Sequence, residues 1–158
     1  MPEIVLLLAS PLHRYEGRPK DGAVPFEGQE TFDEITVTAH KGIVGDRFFG
    51  HRAHIHESVT IMAIESLDGL GEVDPAKTRR NVITRGIDVD SLLGTQFSLD
   101  SGSGPVWFHA HRPANPCAWM DVVLAPGAFR ALRGRGGVRC EPLTSGVLRL
   151  GPATLRVE

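Results

Sequence analysis

A cysteine in a proline-rich segment is the strongest candidate for a reactive group in this sequence. Cys117 directly follows Pro116 in the segment RPANPC, which begins with Arg112. Prolines restrict the backbone before the cysteine, and a nearby arginine favours the thiolate, the form that acts as a nucleophile or metal ligand. Free cysteines are usually small buried residues, but this loop-like setting favours a functional Cys117. The second cysteine, Cys140, lies in a strand pattern and is interpreted as a packing residue.

Two further motifs carry charged and polar groups suited to an anion. A glycine turn presents Asp46 beside Arg47 in the segment GIVGDR, and arginine offers phosphate or carboxylate a planar fork of donors. Taken alone, this motif favours a turn in which the two side chains pair with each other. In the segment TRRN, alternation along a strand would direct Arg79 and Asn81 to one face and Arg80 to the other. Taken alone, this pattern favours an edge strand that carries charges for solubility.

Histidines form two groups with the chemistry of metal ligands. His51, His54 and His56 are close in sequence, and His109 and His111 share one face of a predicted strand. Neutral imidazoles bind Zn²⁺ and Cu²⁺. No single stretch provides a complete ligand set, so the sequence favours a half-exposed strand face over a metal site.

Composition and charge exclude several classes of protein. The 158 residues are 41% hydrophobic and 23% charged, which is typical of a single globular domain spanning 1–158. The net charge of -2 offers no basic field for nucleic acid. The apolar run IVLLLA is far shorter than the roughly 18 residues of a membrane span, so we expect a cytoplasmic protein without membrane contact. Two cysteines are too few for a disulfide framework.

Several catalytic motifs are absent from the sequence. It contains no P-loop, no G-x-S-x-G segment and no zinc nucleobase deaminase signature. No lysine stands in a recognisable Schiff-base setting for pyridoxal phosphate.

Short apolar segments bounded by glycine and proline predict a mainly β protein with a few short helices. The predicted strands are Ile4–Ala9, Glu34–Ala39, Ser58–Ala63, Asn81–Thr84, Thr95–Leu99, Val106–His111, Gly137–Pro142, Gly146–Leu150 and Ala153–Val157. Short helical turns are predicted at 64–70 and 89–93, and a broken helix at 121–124 and 129–133. Many short strands at close spacing favour a barrel or a sandwich. Residues 15–31 are predicted to form a long polar loop, either functional or a surface excursion.

The order and spacing of these motifs resemble the MOSC family, which is named for the C-terminal domain of molybdenum cofactor sulfurase. The motifs that match are Gly42-Ile43-Val44-Gly45-Asp46-Arg47, then Arg80-Asn81 with Gly86-Ile87-Asp88, then Arg112 and Pro116-Cys117. The resemblance covers 34–158 and implies a MOSC-like β-barrel of the small stand-alone bacterial type. Two departures stand out, since Phe48-Phe49 follows Gly-Asp-Arg where members commonly have His or Tyr, and Gly151-Pro152 replaces a late Gly-Asp.

The resemblance also implies a function for Cys117. In the family this cysteine carries sulfur as a persulfide or, in the amidoxime-reducing branch, ligates molybdenum. The residues expected to hold the phosphate and pterin edges of a molybdopterin are Asp46, Arg47, Arg80, Asn81 and Arg112. The expected partner is a cysteine desulfurase for a sulfur carrier, or an electron-donor protein for a molybdenum-dependent reductase of small N-hydroxylated compounds. The alternative is a non-catalytic β-barrel that binds an anionic small molecule.

Overall fold

Strands dominate the structure, a computed structural model that describes residues 1–158. The strands are β1 Glu3–Leu7, β2 Glu34–Thr38, β3 Gly42–Ile43, β4 Val59–Ala63, β5 Val82–Arg85, β6 Gln96–Asp100, β7 Pro105–Pro113, β8 Val138–Pro142, β9 Gly146–Arg149, β10 Gly151–Pro152 and β11 Thr154–Val157. The α-helices are α1 Trp119–Val123 and α2 Ala128–Ala131, and short 3-10 helices form at Pro19–Asp21, Arg52–His54, Ile64–Leu67, Pro75–Thr78 and Val89–Leu92.

Eight of the strands form one sheet that curls almost into a closed barrel. Their order is β10-β1-β5-β4-β8-β7-β6-β11, and only the β4–β5 pair is parallel. The two edge strands, β10 and β11, are separated in the chain by Ala153 alone, so the two edges of the sheet lie side by side. The Ala153 amide donates to the carbonyl of Pro2, 3.0 Å away. Closure of this kind leaves little unpaired edge, and it confirms the predicted mainly β barrel.

The barrel interior holds the main hydrophobic core. Alternating residues of each strand point inward, and the rings of Phe97 and Phe108 stack there with centroids 5.6 Å apart. A second sheet of β3, β2 and β9 adds Val37 and Leu148 to this core.

A second, smaller core lies on the outer face of the barrel. There α1 and α2 cover β4 and β5, and the buried side chains are Met62, Leu67, Ile83, Trp119, Met120, Ala128 and Leu132. Because both faces of β4 are covered, all five of its residues are buried. This outer layer fixes the start of α1, and therefore the position of the cysteine loop just before it.

The structure corrects one prediction about the segment TRRN. Strand β5, which follows it, lies between β1 and β4 in the middle of the sheet, so the edge-strand interpretation is wrong. Strand pairing begins only at Val82, and Arg79 has a left-handed backbone with φ 62°. The alternation expected for Arg79, Arg80 and Asn81 therefore does not occur.

The nine predicted strands all form with small shifts at their ends, and β3 and β10, of two residues each, were not predicted. Residues 15–31 form the predicted long loop, with one 3-10 turn at Pro19–Asp21. The two α-helices have five and four residues, and no helical segment has the length and apolar character to span a bilayer.

Candidate functional site

Cys117 lies on the wall of a small pocket on the outside of the barrel. The pocket has a volume of about 150 Å³. Its lining residues are His13, Arg14, Tyr15, Arg47, Thr78, Arg79, Arg80, Cys117 and Met120. The pocket therefore brings together residues from all three sequence motifs, namely Arg47 from the first, Thr78, Arg79 and Arg80 from the second, and Cys117 from the third.

The two cysteines occupy opposite environments. Cys117 is exposed, and its carbonyl accepts the Met120 amide at 3.0 Å at the start of α1. Cys140 is fully buried in the barrel, where burial raises the pKa of its thiol. Cys140 is thus the predicted packing residue, and Cys117 is the only thiol that reaches solvent.

Arg80 anchors the loop that carries the cysteine. Its Nε donates to the carbonyl of Gly136 at 3.0 Å, and its Nη2 donates to the carbonyls of Ala114 at 3.0 Å and Asn115 at 3.4 Å. Burial lowers the pKa of Arg80 to about 10, so the group stays charged at neutral pH. Because Arg80 has no carboxylate partner, its charge adds to the positive potential of the pocket.

Asp46 and Asn81 form a buried network behind the pocket. The Asn81 amide nitrogen donates to the carbonyl of Leu8 at 3.0 Å and to Asp46 Oδ1 at 3.2 Å. The Asn81 amide oxygen accepts from the Thr60 backbone amide at 2.9 Å and from its hydroxyl at 3.1 Å. Asp46 also pairs with Arg47 at 3.2 Å. Asn81 and Asp46 therefore hold Arg47 and the surrounding backbone in place, and neither lines the pocket.

Three of the arginines around the pocket have carboxylate partners. Glu30 accepts Arg14 at 2.8 Å and Arg79 at 2.7 Å. Burial opposes ionisation of Glu30, but hydrogen bonds from Ser10 and the two arginines outweigh it, so the pKa of Glu30 is lowered. Together with the Arg47–Asp46 pair and the unpaired Arg80, the pocket has four guanidinium groups and two carboxylates around it. The surplus of positive charge favours an anion.

Two other groups complete the pocket wall. Burial and the neighbouring Arg47 lower the pKa of His13 below its usual 6.5, so His13 is mostly neutral at pH 7. Burial raises the pKa of Tyr15 to about 12. The Tyr15 ring stacks on Trp119 with centroids 5.0 Å apart, and its hydroxyl donates to the carbonyl of Lys77. Tyr15 therefore ties the long loop to α1 beside the cysteine.

Besides Asp46 and Asn81, which lie behind the pocket, a third predicted site residue does not line it, and the structure adds other residues. Arg112 lies at the end of β7 with a side chain 72% exposed and pairs with Glu57 at 3.1 Å. Residues around the pocket that the sequence did not indicate include His13, Arg14, Tyr15 and Glu30. They come from the irregular segment between β1 and β2, where no periodic pattern signals which side chains meet.

Three histidines converge on one carboxylate at a separate place on the barrel surface. Glu141 Oε1 lies 3.0 Å from both His56 Nδ1 and His111 Nε2, and Glu141 Oε2 lies 2.8 Å from His40 Nδ1. Burial would raise the pKa of Glu141, but these hydrogen bonds lower it to about 2. We call His40, His56, His111 and Glu141 the histidine–glutamate cluster.

A larger cavity lies elsewhere and carries no comparable chemistry. It has a volume of about 660 Å³ and lies between β1 and the segment 28–33. Neither cysteine, histidine nor a basic residue lines it. The cysteine pocket is therefore the better candidate site.

Known structures with the same fold cover the whole chain. No protein-family model and no curated protein matches this sequence. The YuaD protein from Bacillus subtilis superposes with a TM-score of 0.69 and 18% identity, over 99% of this chain and 96% of that one. YiiM from Geobacillus stearothermophilus gives 0.61 and 15%, over 100% and 75%. YiiM from Escherichia coli gives 0.58 and 15%, over 99% and 69%. The chain therefore has a MOSC-like β-barrel fold.

Proposed function

We propose that this chain is a MOSC protein whose Cys117 carries sulfur as a persulfide in the chemistry of a molybdopterin-type cofactor. One observation carries the proposal: the only exposed thiol lies on the wall of a pocket with a surplus of arginine. The guanidinium groups beside Cys117 can pair with the negative charge of a persulfide or of a phosphate on the acceptor.

The proposed sulfur transfer needs no external oxidant. The Cys117 thiolate attacks the outer sulfur of a persulfide on a donor protein. The sulfur–sulfur bond of the donor breaks, a new one forms on Cys117, and the donor cysteine leaves as a thiolate. A cysteine desulfurase is the expected donor, because no lysine lines the pocket to form a Schiff base with pyridoxal phosphate. Exposure of Cys117 suits attack on a second protein.

The position of Cys140 supports a role for Cys117 as a sulfur carrier, and argues against a disulfide between Cys117 and Cys140. Cys140 lies inside the barrel and is 0% exposed, so it cannot resolve a persulfide on the outer surface. The sulfur on Cys117 then leaves only by transfer to an external acceptor. A carrier requires this behaviour.

A permanently bound molybdenum cofactor is the second candidate. The donors fit it, since a soft thiolate suits molybdenum and arginine suits the cofactor phosphate. When bound, the cofactor would supply the redox chemistry for reduction of N-hydroxylated compounds, and a separate protein would supply electrons. The volume fits less well, because about 150 Å³ is well below the roughly 300 Å³ at which pockets enclose ligands of this size. The pocket therefore accommodates one end of such a cofactor, which favours transient over permanent binding.

The metal and pterin content of the purified protein distinguishes these candidates. We expect protein from a molybdenum-replete host to contain far less than one molybdenum and one pterin per chain, by elemental analysis and by fluorescence of the oxidised pterin. Stoichiometric molybdenum in the wild type that is lost in Cys117→Ala would instead support the reductase. An anion-binding domain without catalysis is the remaining alternative, and it requires that Cys117→Ser keeps full biological activity.

A further inference from the structure

The histidine–glutamate cluster is built from four distant parts of the chain. His40 follows β2, His56 precedes β4, His111 is on β7 and Glu141 is on β8. Ligating atoms of His56, His111 and Glu141 all lie within 4.8 Å of one another. Such convergence does not arise from local sequence, and the cysteine pocket does not use these side chains. The proposed sulfur transfer therefore does not explain why these four side chains meet.

An irregularity in the sheet places His111 in the cluster. Strand β7 changes register against β8 between Ala110, which pairs with Cys140, and Arg112, which pairs with Arg139. His111 is the extra residue of this bulge, and bulges commonly re-aim a side chain beside a functional site. The His111 ring also stacks on that of His109, with centroids 4.2 Å apart and planes 5° from parallel. The ring is thus held with Nε2 towards Glu141.

The histidine rings are packed close together around the carboxylate. The rings of His56 and His111 have centroids only 4.7 Å apart, and each presents one ring nitrogen to the same oxygen of Glu141. A neutral imidazole nitrogen without a proton has a lone pair that can bind a metal ion. The same three groups that hydrogen-bond here can therefore act as metal ligands.

The spacing of the ligand atoms suits a small metal ion. With metal–ligand bonds of about 2.0 Å, tetrahedral ligands lie about 3.3 Å apart. His56 Nδ1 and His111 Nε2 are each 3.0 Å from Glu141 Oε1, and all three atoms lie within 4.8 Å of one another. Two of the three ligand spacings are therefore close to the tetrahedral value, and binding of an ion requires the two ring nitrogens to approach each other. The side chains of His56 and His111 are 61% and 28% exposed, so an ion can enter from solvent.

We propose that His56 Nδ1, His111 Nε2 and Glu141 bind one divalent metal ion of the zinc type on the barrel surface. Two imidazoles and one carboxylate suit Zn²⁺, Ni²⁺ or Cu²⁺ rather than Mg²⁺ or Ca²⁺, which prefer oxygen ligands. His40 bonds the other carboxylate oxygen and acts as a positioning residue that orients Glu141. Three protein ligands leave a coordination position for water or for a further ligand. This site is independent of Cys117 and of the proposed sulfur transfer.

Titration of the metal-free, untagged full chain with ZnCl₂ in a calorimeter tests the proposal. We expect saturable binding of one Zn²⁺ per chain. His111→Ala and Glu141→Gln should each weaken binding about 100-fold or more, and loss of the orienting contact in His40→Ala should weaken it about 10-fold to 100-fold. Circular dichroism of each variant checks that the fold is kept, so that a loss of zinc binding reports the loss of a ligand.

Two control variants separate this site from other zinc-binding groups. His51→Ala changes an exposed histidine that does not contact Glu141, and Cys117→Ala removes the exposed thiol. Both should bind zinc with the affinity of the wild type, and Co²⁺ should give a visible spectrum without thiolate charge-transfer bands. Absence of saturable binding in the wild type, or binding unchanged by both His111→Ala and Glu141→Gln, would overturn the proposal.

Discussion

Gly137→Ala is expected to prevent the protein from folding, with a loss of more than about 4 kcal/mol in the free energy of unfolding. Gly137 has φ +93°, and an added Cβ would overlap the carbonyl oxygen of Ile61 on β4. That oxygen belongs to the backbone of a central strand, where Ile61 pairs with Val138 of β8. Relief of the overlap requires β4 and β8 to separate. The yield of soluble protein and urea denaturation measure the effect.

The effect should extend from the barrel to the cysteine loop. The Gly137 carbonyl accepts the Ala114 amide at 2.9 Å, and the Gly137 amide donates to Asp90 at 2.9 Å. Ala114 lies in the segment before Cys117. A shift of Gly137 therefore moves the backbone that positions the thiol.

Gly134→Ala is the matched control for this substitution. Gly134 also has a left-handed backbone, with φ +71°, but nothing lies within 4 Å of the position of its added Cβ. Only the backbone cost of about 1–2 kcal/mol is expected. Equal losses for the two variants would show that backbone conformation, and not close packing of β4 against β8, makes Gly137 necessary.

Asp46→Ala is expected to lower the free energy of unfolding by about 3–5 kcal/mol, the cost of removing one partner of a buried ion pair. The Asp46 side chain is 0% exposed and pairs with Arg47 at 3.2 Å. Its oxygens also accept the Ser10 amide at 3.1 Å, the Phe48 amide at 3.3 Å and the Asn81 side chain at 3.2 Å. Alanine leaves these donors without an acceptor and Arg47 without its counter-ion.

Asp46→Asn removes the negative charge of this side chain and keeps its shape, so it measures the contribution of the charge to stability. Asparagine has nearly the same size and keeps one accepting oxygen, so we expect a loss between zero and that of alanine. Urea denaturation of both variants gives the two values. A loss below about 1 kcal/mol for Asp46→Ala would contradict the role assigned to this network, because at least one buried donor would then find another acceptor.

The sequence predicts most of the barrel because its strands carry local signals. Alternation along β7 places Val106, Phe108 and Ala110 inside and their neighbours outside, as a half-buried strand requires. Strands β3 and β10 are too short to show a period. The central position of β5 was not predictable from its own residues. That position is set by pairing with β1 and β4, and the charges next to the strand do not indicate which strands pair with it.

Only part of the candidate site was predictable from the sequence, because local motifs do not report contacts between distant segments. Cys117, Arg47 and Arg80 stand in motifs, so the sequence indicates them. Arg112 shares the cysteine segment, yet it ends a strand that directs it towards Glu57. Asn81 is also a polar residue of a motif, but its side chain hydrogen-bonds to buried backbone groups and does not line the pocket. Distances along the chain do not show which side chains meet across an irregular loop.

Transfer of sulfur to Cys117 is the most direct test of the proposed function. The purified protein is incubated with a cysteine desulfurase and cysteine, and its intact mass is measured without reductant. The wild type and Cys140→Ala should each gain the mass of one sulfur atom, which a thiol reductant then removes, and Cys117→Ala should gain none. No added sulfur on the wild type, or an equal gain on Cys117→Ala, would contradict Cys117 as the sulfur carrier.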